Sequence, residues 1–93
     1  MILLSSMKFQ LGQLVITPAA LEAIPAEDIC QCINRHVSGD WGDLEGDDRR
    51  ENELALRIGS RLLSVYHTAT GTKFYIITEA DRSATTVLLP DDY

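Results

Sequence analysis

The chain has 93 residues, of which 45% are hydrophobic and 24% are charged, proportions that indicate one ordinary globular domain and argue against a disordered chain. Fourteen acidic residues outnumber eight basic residues, so the formal net charge is -6. Because nucleic-acid binders usually present clustered Lys and Arg, this balance disfavours nucleic acid as a partner and favours a basic protein.

We interpret the chain as a single domain over residues 1–93, with residues 1–7 as a ragged N-terminal end. Met7-Lys8 offers a second translational start. The residues before it contain neither a basic stretch nor an apolar run long enough for export, which predicts no membrane association. Cys30 and Cys32 lie two positions apart on a predicted helix and point to different sides, so they favour a reducing, cytoplasmic location over a disulfide.

The predicted elements begin with a short strand and a short helix. Residues 9–16 are apolar and partly alternating, with Gly12 as a bulge or turn, and a strand there can join the edge of a later sheet. Thr17 followed by Pro18 is a typical helix start. It predicts a helix of about two turns, and Pro25 ends that helix.

Two longer helices are predicted next. Residues 26–37 carry apolar side chains at helical spacing, namely Ile29, Ile33 and Val37. Residues 38–46 have the composition of a loop, with three Gly and three acidic residues. The capping-box spacing of residues 48–51 predicts a third helix, which ends at Ile58.

The C-terminal part of the chain predicts a sheet. Residues 61–90 contain three apolar, β-branched runs between short polar breaks, with strands expected at residues 62–67, 73–78 and 85–89. We therefore predict an α+β fold in which three short helices pack on a C-terminal three-stranded antiparallel meander, with room for an added N-terminal strand. Both faces of such a sheet carry apolar side chains, which leads to the hypothesis of a homodimer.

Three stretches of the chain resemble a family of short bacterial proteins carried on plasmids and integrative elements. They are HVSGDWGDL at residues 36–44, NELAL at residues 52–56 and IITEADRSATTVLLP at residues 76–90. Members of that family are labelled plasmid-related protein or, loosely, type I restriction modification subunit. The resemblance implies a mobile-element origin without a defined activity. A methyltransferase subunit would need a Gly-rich cofactor turn and an Asn-Pro-Pro-aromatic motif, and the sequence contains neither.

The loop at residues 38–46 holds the first group of candidate binding residues, Asp40, Trp41 and Asp43. In one interpretation Trp41 is the wall of a pocket in which His36 and Asp40 act as an acid/base pair. In the other interpretation Asp40 caps a turn and Trp41 plugs the core. The acidic residues of this loop depart from the alternating ligands of a calcium site, so no metal is predicted.

A second group of candidate binding residues occupies the predicted turn between the last two strands: Glu79, Asp81, Arg82 and Ser83. They form either a surface turn with a weak ion pair or a phosphate cradle in which Arg82 and Ser83 act together with Thr85. The two interpretations differ in whether Arg82 contacts a ligand or the chain itself.

Two hypotheses of function compete. The favoured one is a small acidic mobile-element protein that acts through protein–protein interaction, of a regulatory or anti-defence type, without a defined catalytic activity or a cofactor. The alternative is a metal-independent endoribonuclease of the small-toxin type, in which His36 or His67, Lys73 and Arg82 carry the chemistry. Only fold-level analogy supports this alternative, and the acidic charge opposes a polyanionic substrate.

Overall fold

The computed structural model describes residues 7–93, so the predicted ragged end, apart from Met7, lies outside the described residues. The described chain is α+β, with three helices and a four-stranded mixed sheet. None of the helices in this range is long and apolar enough to cross a membrane. The elements in chain order are β1 (Gln13–Ile16), α1 (Pro18–Ala23), α2 (Ala26–Val37), α3 (Gly46–Ile58), β2 (Leu62–His67), β3 (Lys73–Thr78) and β4 (Ala84–Leu88), followed by a 3₁₀ turn at Pro90–Asp92.

The sheet has the strand order β1-β4-β3-β2. The three C-terminal strands pair antiparallel, whereas β1 lies parallel to β4, with Gln13 opposite Ala84 and Ile16 opposite Val87. The predicted three-stranded antiparallel sheet is therefore only part of the observed sheet. The N-terminal strand adds at the β4 edge, and because it runs parallel to β4 it makes the sheet mixed.

β1 is shorter than the strand predicted over residues 9–16, because the chain turns at Gly12. Gly12 has a φ of 65°, and a Cβ added to it would collide with the backbone of Arg82 and Ser83. Glycine alone combines the left-handed conformation with so close an approach. The pairing with β4 therefore begins at Gln13, whose N–H donates to the carbonyl oxygen of Ser83 at 2.9 Å.

α3 begins two residues before the predicted capping box at residues 48–51. Glu45 at its N-cap makes no side-chain capping hydrogen bond, and Asp47 and Asp48 lie in the first turn. Acidic side chains there interact favourably with the helix macrodipole, so charge rather than a capping side chain favours this start. The helix ends as predicted, with Gly59 in the left-handed conformation at a φ of 76°.

α1 and α2 cover one face of the sheet and form the main core with it. The buried members of this core are Leu11, Ala20, Ile24, Ile29, Cys32, Ile33, Val37, Tyr66, Phe74, Ile76 and Val87. A smaller core joins α3 and the loop before it to β2, and its buried members are Trp41, Leu44, Ala55, Leu62 and Val65. Removal of these apolar surfaces from water is what holds the helices on the sheet.

The central part of the opposite face of the sheet is covered within the same chain, whereas Val15 at its β1 edge is exposed. Val65, Ile77 and Leu88 lie on it and are only 9%, 5% and 7% exposed. Tyr75 on this face meets Tyr93 edge-to-face, with ring centroids 5.8 Å apart, so the C-terminal residues fold back over it. These side chains need no second copy to cover them. The apolar second face therefore gives the homodimer hypothesis no support, and the dimer stays a prediction.

Candidate functional site

His36 is fully buried, and both of its ring nitrogens are hydrogen-bonded. Nδ1 is 2.6 Å from Oγ of Ser64 on β2, and Nε2 is 2.9 Å from Oγ1 of Thr78 on β3. Oγ1 of Thr78 is in turn 2.7 Å from Oγ1 of Thr85, which donates to the carbonyl oxygen of Leu11 at 2.7 Å. The four side chains are 0% exposed, so solvent does not reach this chain of hydrogen bonds.

The backbone carbonyl at the end of this chain fixes the direction of the hydrogen bonds that run from Nε2 of His36 through Thr78 to Thr85. The one proton of the Thr85 hydroxyl goes to that carbonyl, so Thr85 accepts from Thr78, and Thr78 accepts from Nε2–H of His36. Burial, with a smaller contribution from the charge of Arg82, lowers the pKa of His36 to about 3, so the ring is neutral at neutral pH. Because the single proton of the neutral ring is on Nε2, Nδ1 is unprotonated and accepts from the Ser64 hydroxyl.

The loop between α2 and α3 lies along the outer edge of β2 like a short extra strand. The carbonyl oxygen of Trp41 accepts from the N–H of Val65 at 3.2 Å, and the N–H of Asp43 donates to the carbonyl oxygen of Val65 at 2.7 Å. Asp40 holds the turn before this pairing, because its carboxylate accepts from Nε of Arg35 at 2.8 Å. The same hydrogen bond lowers the pKa of Asp40. Asp40 thus acts as a turn residue with a half-exposed carboxylate.

Trp41 packs inside the core. It is 2% exposed, and its ring lies 5.8 Å from the ring of His36 and 6.2 Å from the ring of Phe9. Its Nε1–H donates to the carboxylate of Glu53 on α3 at 2.7 Å. Buried in this way, Trp41 presents no open ring face to a ligand. His36 and Asp40 form no acid/base pair either, since each is hydrogen-bonded to other groups.

Arg82 contacts the chain itself. Its guanidinium donates to the backbone carbonyls of Ala55 at 3.1 Å and of Ser60 at 2.6 Å, at the C-terminal end of α3, where carbonyl oxygens outnumber N–H donors. It also lies 5.7 Å from the ring centroid of Phe9. The hydroxyl of Thr85, the third member of the hypothetical phosphate cradle, is buried and donates elsewhere. The structure thus turns Arg82 and Thr85 away from a common ligand.

The turn between β3 and β4 holds three more candidate binding residues, and all three are exposed: Glu79, Asp81 and Ser83. The carboxylate of Asp81 accepts from the N–H of Ser83 at 2.9 Å, and hydrogen bonds from Ser83 lower the pKa of Asp81. The N–H of Glu79 donates to the carbonyl oxygen of Ala84 at 3.0 Å. Glu79 and Asp81 are therefore turn residues whose negative charges face solvent.

His67 and Lys73 are cross-strand neighbours at the other end of the sheet. Nδ1 of His67 is 2.7 Å from the carboxylate of Asp43. β3 has six residues, so about 17 Å separate its Lys73 end from the end that leads to Arg82. The four residues of the ribonuclease alternative do not converge, since His67 and Lys73 lie at one end, Arg82 lies at the other, and His36 is inside the core.

The outer edge of β1 is a site that the sequence motifs did not indicate. β1 ends the sheet, and no strand among residues 7–93 lies on its outer side. The N–H groups of Gln13 and Thr17 donate towards the β4 side, to Ser83 and Val87. Because backbone groups alternate along a strand, the N–H and C=O groups of Leu14 and Ile16 point away from β4.

An apolar groove of about 260 Å³ lies beside this edge. Leu14 and Leu21, two of its lining residues, are 43% and 63% exposed. We use the name edge groove for the outer edge of β1 together with this groove, whose lining residues from β1, α1 and α2 are Leu14, Ile16, Leu21, Ala26, Ile29, Cys30 and Ile33.

The rim of the edge groove is acidic. Glu22 and Glu27 are exposed and directly follow two of the lining residues in the sequence. Asp92 lies at the end of β1, because its carboxylate accepts from the hydroxyl of Thr17 at 2.7 Å. No Lys or Arg stands next in sequence to any lining residue. The charged residues that adjoin the groove lining in sequence and the one at the end of β1 are therefore negative, and we call Glu22, Glu27 and Asp92 together the acidic rim.

The sequence patterns also missed the hydrogen-bond partners of His36. Ser64, Thr78 and Thr85 lie on the same sheet face as the core residues Tyr66 and Val87, so strict alternation along the strands was the signal that could have placed them inside. The edge groove had no such signal, because the close packing of two predicted elements cannot be read from either one.

Within residues 7–93, no three His, Cys, Asp or Glu side chains form a group that could hold a metal ion. Comparison of the chain with protein-family models, with curated proteins and with solved structures found no match. The resemblance to plasmid-borne proteins therefore stays a prediction.

Proposed function

We propose that this chain is a small acidic binding protein of a mobile genetic element, which acts in the cytoplasm by docking onto a basic partner protein. Through this contact it regulates a host or element-encoded system, for example a defence system. The docking surface is the edge groove. The observation that carries the proposal is an open apolar groove at the free edge of a sheet, with Leu14 and Leu21 exposed beside it.

The exposed apolar residues are concentrated at this place. Six large hydrophobic residues of the described chain are exposed; two of them, Leu14 and Leu21, line the groove, and a third, Val15, lies on β1 with its side chain on the other face of the sheet. Contiguous exposed apolar surface rimmed by polar residues marks interaction sites in soluble proteins. This concentration supports a docking function for the edge groove.

The charge of the rim supports a basic partner. Glu22 and Glu27 are exposed and adjoin lining residues of the groove in sequence, and Asp92 lies at the end of β1, in a chain whose net charge is -6. Complementary charge steers association and suppresses wrong partners. The affinity for the partner should therefore fall as salt screens the rim.

The test is affinity capture from bacterial lysates with the tagged full-length chain and two variants, Leu14→Gln and Leu54→Gln. The two leucines are a matched pair, because they are 43% and 46% exposed and Leu54 lies on α3, outside the edge groove. We expect a basic protein that the wild type and Leu54→Gln retain and that Leu14→Gln loses. Calorimetry with the purified partner then measures each affinity.

Circular dichroism and thermal unfolding establish that both variants are folded. A partner that binds Leu14→Gln as tightly as the wild type, or that only Leu54→Gln loses, would overturn the assignment of the edge groove. A partner with a strongly acidic binding surface would overturn the charge argument.

A further inference from the structure

We propose that the partner binds the edge groove as an added β-strand, that is, as an extended segment in which apolar residues alternate with Lys or Arg. The inference rests on the proposed function and deepens it, because it specifies the conformation and the chemistry of the segment that docks there.

The backbone of β1 provides the hydrogen-bonding groups. Leu14 and Ile16 direct their N–H and C=O groups away from β4, at the end of the sheet. Gln13, Leu14 and Val15 are exposed, so an incoming chain can reach this edge. By contrast, the loop before α3 pairs with Val65 along the outer edge of β2. β1 is therefore the edge at which an extended segment can add to the sheet.

The groove selects the apolar half of the segment. An added strand continues the pleat of the sheet, so every second side chain falls on the face that carries Leu14 and Ile16. On that face the groove opens between β1 and the helices α1 and α2. Apolar side chains of the added strand enter the groove and cover Leu14 and Leu21.

The acidic residues of the edge favour basic residues at the remaining positions of the added strand. The remaining side chains of the added strand fall on the opposite face, where the exposed Asp92 is hydrogen-bonded to Thr17. The exposed side chain of Val15 lies on the same face and can pack against the aliphatic stems of Lys or Arg. Glu22 and Glu27 attract basic residues at the groove rim. The chemistry of this edge therefore fits a basic segment.

A second copy of the chain fits this edge less well. Each copy has a net charge of -6 and brings the same acidic rim to the contact. Like charges placed opposite one another oppose association. A basic segment of another protein carries the opposite charge, so it is attracted to the acidic rim.

The experiment titrates the ¹⁵N-labelled full-length chain with an acetylated and amidated octapeptide of alternating valine and lysine. One control peptide alternates valine and glutamate, and a second is the valine–lysine peptide with N-methyl groups on its central residues, which cannot form the ladder. We expect amide shifts at residues 13–16 and along the α1 and α2 lining of the groove. Each control peptide, and the variant Leu14→Gln, should bind at least about tenfold more weakly, whereas Leu54→Gln should bind like the wild type.

Each alternative outcome has a defined meaning. Equal binding of the N-methylated peptide, or shifts confined to other surfaces, would overturn strand addition. If partner capture depends on Leu14 and no peptide binds, the added strand is wrong and the proposed function stands. If capture does not depend on Leu14, the assignment of the docking surface to the edge groove is itself wrong, and the added strand falls with it. A dimer of the free chain that Leu14→Gln abolishes in sedimentation would assign the edge to a second copy and overturn the inference.

Discussion

A buried histidine is tolerated when its ring is neutral and both nitrogens have hydrogen-bond partners. His36 meets both conditions, since it bonds to Ser64 and Thr78 and its pKa is about 3 in the folded chain. In the unfolded chain a histidine titrates near pH 6.5. Between these two pH values the unfolded chain binds a proton that the folded chain does not, so stability falls as the pH falls.

We expect His36 to account for about 5 kcal/mol of lost stability between pH 6.5 and pH 3. The variant His36→Gln keeps a donor and an acceptor but does not titrate, so its unfolding free energy should fall less steeply over this range. Urea unfolding at a series of pH values measures both slopes. His67→Gln, which removes a partly exposed imidazole, is the control. Equal slopes for the wild type and His36→Gln would contradict a neutral, buried ring.

Gly42 is the residue whose lack of a side chain lets the loop before α3 pair with β2. Its φ is 73°, and an added Cβ would fall on the carbonyl oxygen of Val65 and against the ring of Tyr66. We expect Gly42→Ala to lower the unfolding free energy by about 4 kcal/mol. Gly59 is a matched control, because its φ is 76° and nothing lies within 4 Å of an added Cβ. Gly59→Ala should cost only about 1–2 kcal/mol in denaturant unfolding, and equal costs would argue against the close approach.

At the scale of elements, Arg82 joins α3 to the turn between β3 and β4. Its guanidinium bonds to carbonyl oxygens at the C-terminal end of α3, and its own φ of 61° places it in the left-handed region. A cation at this end of a helix also interacts favourably with the macrodipole. The contact explains why the turn holds a long basic side chain where glycine or asparagine would fit the backbone more easily.

Replacement of Arg82 by Met should therefore lower stability by about 2–3 kcal/mol, because it removes charged hydrogen bonds to partly buried carbonyls. Arg50→Met is the comparison, since Arg50 forms an ion pair with Asp47 in which both side chains are largely exposed. That variant should stay within about 0.5 kcal/mol of the wild type. If Arg82 instead served a phosphate ligand, Arg82→Met would leave thermal unfolding of the free chain unchanged.

The bounds of elements follow from the sequence where the pattern is local. β2 and β3 have the predicted bounds because alternating β-branched and aromatic residues between polar breaks specify a strand directly. α2 has its predicted bounds because its apolar stripe is regular and Pro25 precedes it. The start of β1 could not be predicted in this way, since it depends on the approach of Gly12 to Arg82 and Ser83, far away in the sequence.

In the candidate site, too, features that depend on a local pattern could be predicted, and features that depend on packing between distant segments could not. Burial of Trp41 as a core plug, turn formation by Asp40, and a surface turn at Glu79 and Asp81 were among the interpretations that the sequence offered. The edge groove was not among them. It exists because β1 packs beside helices α1 and α2 while leaving its outer edge free, and no single segment contains that information.

At the scale of the whole molecule, the fold closes by pairing a strand near the N-terminus with one near the C-terminus. Gln13 is opposite Ala84, and the hydroxyl of Thr85 donates to the carbonyl of Leu11. β3 and β4 are each flanked by strands on both sides, whereas among residues 7–93 β1 has a neighbouring strand only on its β4 side. Local opening should therefore be rarest in β3 and β4 and most frequent at the free edge, where a partner would bind.

We expect amide hydrogen exchange to follow this order and to alternate along β1. The amides of Gln13 and Thr17 donate towards the β4 side and should exchange slowly, whereas those of Leu14 and Ile16 point outward and should exchange fast. Exchange measured by NMR at low protein concentration reports each amide separately. Slow exchange of Leu14 and Ile16 that disappears on dilution would show that a second copy covers the edge. Slow exchange at every concentration would mean that the chain itself covers it, and strand addition would then be impossible.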